Sequence, residues 1–160
     1  MKTKLWLAAW LAGISVSIAA AAGSGKKDSP VGYWKTISDK TDKPRSVVQV
    51  YESGGVVYGK IVKSLVPGEG PGDLCEKCEG EFHNQPVIGM RFMWGLQEDE
   101  DGVWKEGRIL DPDSGKTYKC KITLLPEGDQ LKVRGYIGFS LLGRNQVWHR
   151  VRSPAAAGSN

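Results

Sequence analysis

A chain of 160 residues with 22 lysines and arginines against 18 aspartates and glutamates carries a formal charge of +4. Its basic residues, among them Lys60, Lys63, Lys105, Arg108, Lys119, Lys121, Lys132 and Arg134, are dispersed among carboxylates. This excludes the clustered cationic patch that phosphate neutralisation requires, so nucleic acid is not an expected partner.

The first residues carry Lys2 and Lys4 and lead into an apolar run, Leu5 to Ile18, that ends in Ala19-Ala20-Ala21-Ala22 before Gly23. That is the pattern of a signal peptide with a small-residue cleavage site. A membrane anchor needs about 20 strongly apolar residues, and this run is diluted by Gly13, Ser15 and Ser17. A lipid anchor would need a cysteine at the cleavage point, and the first cysteine is Cys75. Cleavage after Ala22 removes two lysines and no acid, leaving about 138 residues of charge about +2, enough for one domain with its own core. The expected organisation is a signal peptide over 1–22, a flexible segment over 23–30, a β-domain over 31–152 and a disordered tail over 153–160. The mature protein is expected in the periplasm or outside the cell, and not to span a membrane.

From Val31 onward, short β-branched and aromatic runs alternate with turn residues, and no stretch keeps a helical apolar period for three turns. The expected strands are Gly32 to Ile37, Arg45 to Glu52, Val56 to Leu65, Val87 to Leu96, Val103 to Leu110, Lys116 to Leu125, Gln130 to Ile137 and Arg144 to Val151. Gly- and Asp-rich turns such as Ser53-Gly54-Gly55 and Asp111-Pro112-Asp113-Ser114-Gly115 fill the gaps. Short gaps leave no room for crossover helices, so neighbours should pair as an antiparallel up-and-down meander that can close into a barrel. A two-sheet sandwich is the alternative. Tyr118, Cys120, Ile122 and Leu124 share one face of their strand, whereas the run from Val103 to Ile109 mixes apolar and charged groups on both faces and leaves its inner side open.

One connection, from Leu65 to Val87, is long enough to suggest a functional or specially fastened loop, a candidate lid. It contains Cys75-Glu76-Lys77-Cys78. A redox pair would sit at a helix N-terminus, and a zinc site would draw on Cys75, Cys78, His83 and Cys120 as ligands. The preferred reading is a Cys75–Cys78 disulfide that fastens the loop, with Cys120 a buried thiol; pairing of Cys120 with Cys75 or Cys78 is the alternative. Asp111 and Asp113 read first as turn residues, and neither His83 nor His149 has a catalytic motif around it. The acidic run Glu98 to Asp101 reads as a solvated hairpin tip without the ligand spacing of a calcium loop. No enzyme activity, catalytic residue, metal or cofactor is expected.

The aromatics Trp34, Trp94, Trp104 and Trp148, with Phe92, Tyr118 and Tyr136, all fall in expected strands. An eight-stranded barrel either fills its interior with such side chains or leaves room for one small ligand.

Gly32-Tyr33-Trp34 opening the first strand and Trp148-His149-Arg150 closing the last resemble the calycin pattern of lipocalins, fatty-acid-binding proteins and avidins. The resemblance implies that Trp34 plugs one end of the barrel and Arg150 lies across it. Further segments, among them Tyr58-Gly59-Lys60-Ile61, Leu74-Cys75-Glu76-Lys77-Cys78, Leu110-Asp111-Pro112, Gly115-Lys116-Thr117-Tyr118 and Val133-Arg134-Gly135-Tyr136-Ile137-Gly138, together resemble the bacterial family known as domain of unknown function 2147. That likeness implies an exported calycin-like barrel of Gram-negative bacteria and brings no activity with it. The expected function is binding of a small apolar or amphipathic ligand in or at the mouth of the barrel, with Phe92, Trp94, Trp104, Tyr118, Arg134 and Tyr136 as contacts. The alternative is a packed barrel that docks on an envelope or host protein of unknown identity.

Overall fold

Period-two alternation broken by Gly, Asp and Pro turns specifies strands, and the computed structural model, which describes residues 28–138 and 142–158, contains eight of them. They are β1 (Gly32–Ile37), β2 (Pro44–Ser53), β3 (Val56–Ser64), β4 (Arg91–Glu100), β5 (Val103–Asp111), β6 (Lys116–Leu124), β7 (Gln130–Tyr136) and β8 (Gly143–Val151). Each pairs antiparallel with the next, and β1 also pairs with β8 through Trp34 and Arg150. The ring is closed, which excludes the sandwich and removes every sheet edge.

Strand β4 departs most from the sequence expectation. Val87 to Met90 stay outside it, because Gly89 N–H donates to Ile61 O and Ile61 N–H to Met90 O in an irregular approach to β3. At its other end the acidic run continues the ladder, with Glu98 opposite Trp104 and Glu100 opposite Val103. The hairpin tip is therefore only Asp101-Gly102, and Lys105 on β5 pairs with Asp99 and Glu100. Beyond β8, where a disordered tail is expected, Ala156–Gly158 forms a single 3-10 turn, with Ala156 N–H on Ser153 Oγ. Residues 1–22, where the sequence leads one to expect a signal peptide, lie outside the described part of the chain.

Two bulges decide which side chains enter the barrel. Glu106 takes a positive φ of 62° where the β5–β6 register shifts, so Trp104, Gly107 and Ile109 share the inner face with their partners Ile122, Cys120 and Tyr118. Gly95 (φ 76°) does the same on β4 and turns both Met93 and Leu96 inward. Leu96 crosses to β5 at Gly107, where any Cβ would collide with the Leu96 side chain.

Trp34, Val50, Val57, Met93, Leu96, Trp104, Cys120, Ile122 and Leu131 fill the half of the barrel nearest the β2–β3, β4–β5 and β6–β7 turns. Trp34 seals that end, and its indole N–H donates to Pro30 O at 2.8 Å. The Arg150 guanidinium lies over the Trp34 ring at 4.2 Å and donates to the carbonyls of Ser29, Val31 and Gly128. Burial lowers the Arg150 pKa from its ordinary value, and Asp129 offsets part of that.

Candidate functional site

The other half of the barrel is hollow. A cavity of about 1020 Å³ opens between the β1–β2 connection, the long β3–β4 loop and the β5–β6 and β7–β8 hairpins. Its inner walls are apolar: Val48, Ile61, Phe92, Ile109, Val133 and Trp148, with Tyr118 and Gly135 beside them. Polar groups collect on β1, β2 and β8. Thr36 Oγ1 and Ser46 Oγ stand 2.9 Å apart, and Gln146 accepts the Trp148 indole N–H at 3.0 Å. Gln146 in turn donates to Asp39, which also pairs with Arg144 at 2.9 Å. Because Arg144, Gln146 and Trp148 alternate along β8, this chain of contacts runs from the rim down the inner wall.

Phe92 and Trp148 meet at 6.0 Å between ring centroids. They stand on β4 and β8, which are opposite one another in a ring of eight, so the pair bridges the barrel across its width. Below it lie the packed core residues named above, and none of them lines the cavity. The interior is thus part core and part hollow, where composition alone posed these as alternatives.

The long loop forms one side of the mouth and is fastened at several points. Cys75 and Cys78 are joined in a disulfide and are both buried in the cluster that includes Leu110. Leu74 bridges to Pro86, Cys75 N–H donates to Gln85 O, and Val87 N–H to Asp73 O. The loop rests on the β5–β6 turn: Lys77 Nζ donates to Asp113 O at 3.0 Å, and Gly115 (φ 72°) lies so close to the Lys77 carbonyl that any side chain would collide with it. Arg45 spans the seam, at 2.6 Å from Glu69 and 2.7 Å from Asp113. Burial alone would lower the Arg45 pKa, but its hydrogen bonds to Glu69 and Asp113 outweigh that and raise it.

Of the six contacts expected from sequence, Phe92 and Tyr118 stand on the cavity wall, and Tyr136, on the same face of β7 as Arg134, borders it at the rim. Trp104 is buried in the filled half, opposite Ile122. Trp94 faces outward beside Arg108 and stacks on Phe82 of the long loop at 5.3 Å. Arg134 is also on the outer wall, paired with Asn145 at 2.8 Å. Sequence reasoning missed Thr36, Ser46, Gln146 and Arg144. The alternation of Arg144, Gln146 and Trp148 on the strand that ends at Arg150 was the signal that could have found the last two.

The groups weighed for other chemistry are spread over the fold. Cys120 is fully buried inside the barrel, and desolvation pushes its thiol pKa up to about 12. His83 Nδ1 contacts Cys78 O at 2.9 Å, with the Cys78 sulfur committed to the disulfide. Glu106 and Asp111 stand on β5 and His149 on β8, three strands away around the ring. Among the described residues, no three His, Cys, Asp or Glu side chains gather as a metal site, and no helix is long and apolar enough to cross a membrane.

A closed antiparallel meander of eight strands, plugged by Trp34 and Arg150 at one end and hollow at the other, defines a calycin-like, lipocalin-type barrel. The chain belongs to the family described as "Uncharacterized protein conserved in bacteria (DUF2147)", whose model matches residues 32–150. Among solved structures it is similar to Helicobacter pylori protein HP1028, described as belonging to the lipocalin family. That similarity has a TM-score of 0.68 at 20% identity and covers 76% of this chain and 82% of the other. No curated protein matches it.

Proposed function

We propose that this protein is an exported binding protein that takes a small, partly apolar molecule into the open half of its barrel. The observation that carries the reading is the cavity of about 1020 Å³, walled by Val48, Ile61, Phe92, Ile109, Val133 and Trp148. Its volume lies near the top of the range of small-molecule sites, and an apolar wall with a few placed polar groups is their usual lining. The hydroxyls of Thr36 and Ser46 and the Gln146 amide supply those polar groups. Export is supported by the charged start and apolar run of the first 22 residues, and a Cys75–Cys78 disulfide suits an oxidising compartment.

The experiment is native mass spectrometry of the mature protein purified from its own periplasm, beside the same sample denatured. A mass excess that disappears on denaturation gives the ligand and its mass. Folded protein with no excess, and with no response to a fluorescent apolar probe, would sink the reading.

One observation favours a second reading, an envelope or host protein docked on the open end. Leu74, Ile137 and Leu142 are exposed by 47%, 67% and 75%, and all three stand at the mouth. In that case the native spectrum would carry a protein-sized partner in place of a small molecule.

A further inference from the structure

We infer that the Phe92–Trp148 pair sets the depth of the cavity, so that the apolar tail of an amphiphilic ligand stops on these two rings. The inference rests on the binding function proposed above. Two side chains on opposite strands form a floor only if neither can swing aside, and both are held. Trp148 is fully buried, with its indole N–H on Gln146 and its partner Leu131 in the filled half behind it. Phe92 abuts Gly59, where a Cβ would stand 3.3 Å from the ring, and Met93 packs beside it. A tail that pushed past them would have to displace core packed at the density of a crystal.

The reach above the floor follows from strand geometry. From Trp148 to Arg144, β8 covers about 13 Å of extended chain. At the usual tilt of barrel strands this is about 10 Å along the axis. An extended alkyl chain advances about 1.25 Å per carbon at ordinary bond lengths and angles. About eight carbons therefore fit between the floor and the rim. At the rim Asp39, Arg144, Arg45, Glu69 and Asp113 stand beside the exposed Leu74, Ile137 and Leu142, and these charges would face a polar head group.

Calorimetric titration of the mature protein with straight-chain alcohols from pentanol to dodecanol tests this. Each added methylene should raise the association constant about fourfold while it enters the apolar cavity, and the rise should stop near about eight carbons. Phe92→Ala should move the break to longer chains, and Phe92→Leu, which keeps an apolar side chain in the fold, should move it less. An affinity that climbs evenly to dodecanol, or a break that stays in place in both variants, would overturn the depth assignment and leave cavity binding standing. Folded protein that binds none of the alcohols would overturn both.

Discussion

Arg150 stands 4.2 Å above the Trp34 ring while its nitrogens reach the carbonyls of Ser29, Val31 and Gly128. One side chain thus ties the last strand to the segment that precedes the first and to the β6–β7 turn. A cation–π contact of this kind contributes about 0.5–2 kcal/mol, and a hydrogen bond to a charged group about 1.5–3 kcal/mol net of the exchange with water, less where, as here, the bond is only partly buried. Arg150→Ala should lower the unfolding free energy by about 3 kcal/mol in urea titration. Arg150→Lys keeps the charge but not the fork of donors and should recover less than half of that. A loss below about 1 kcal/mol for the alanine variant would mean that the plug holds without its latch.

The long loop should come loose when its seat on the β5–β6 turn is spoiled. Gly115→Ala places an L side chain at φ 72° against the Lys77 carbonyl, and strain of that kind costs about 1–3 kcal/mol. Arg45→Gln removes the pairs to Glu69 and Asp113, all partly exposed, so its effect on global stability should be about 1 kcal/mol or less. Both variants should be cut faster by protease within residues 65–90 while the rest of the barrel resists. Cleavage no faster than in the parent protein would show that the seam does not fasten the loop.

The buried Cys120 thiol should be inert and should give stability a pH dependence. In the native state its pKa is about 12, against 9.0 as the ordinary value. Between those values the folded chain keeps a proton that the unfolded chain has lost. Stability from this site is therefore full below about pH 9 and falls as pH rises toward about 12, with a slope approaching 1.4 kcal/mol per pH unit. The parent protein should lose this increment relative to Cys120→Val over that window. Iodoacetamide should leave the native protein unmodified at neutral pH and add one group after denaturation without reduction. Labelling of the folded protein would show that the thiol is reachable.

Much of the fold was legible because its signals are local. Alternation along Tyr118, Cys120, Ile122 and Leu124 and the turn residues between runs define strands directly, and short connections leave a meander as the simplest pairing. The site was less legible for a geometric reason. Which face of β4 or β5 looks inward depends on the extra residues at Gly95 and Glu106, and a bulge of one residue reverses the facing of everything beyond it. Trp94 and Met93 are adjacent in the chain, and composition favours the tryptophan as the ligand contact, yet the register turns Met93 inward and Trp94 toward Phe82. The start of β4 was blurred for a related reason: Val87 and Ile88 read as strand, but the backbone bonds of Val87 go to Asp73 and Met90 in the loop.

The division of the barrel at Phe92 and Trp148 gives the molecule the form of a cup on a solid base. The Trp34–Arg150 plug and the part of the core around Leu96, Trp104 and Ile122 lie in the base. Ser46, Ile61, Ile109, Val133 and Gln146 line the bowl, and exchanging them would change the shape and polarity of what is held while the base stays as it is. Such a scaffold can be refitted for new cargo by relining its upper wall, one side chain at a time.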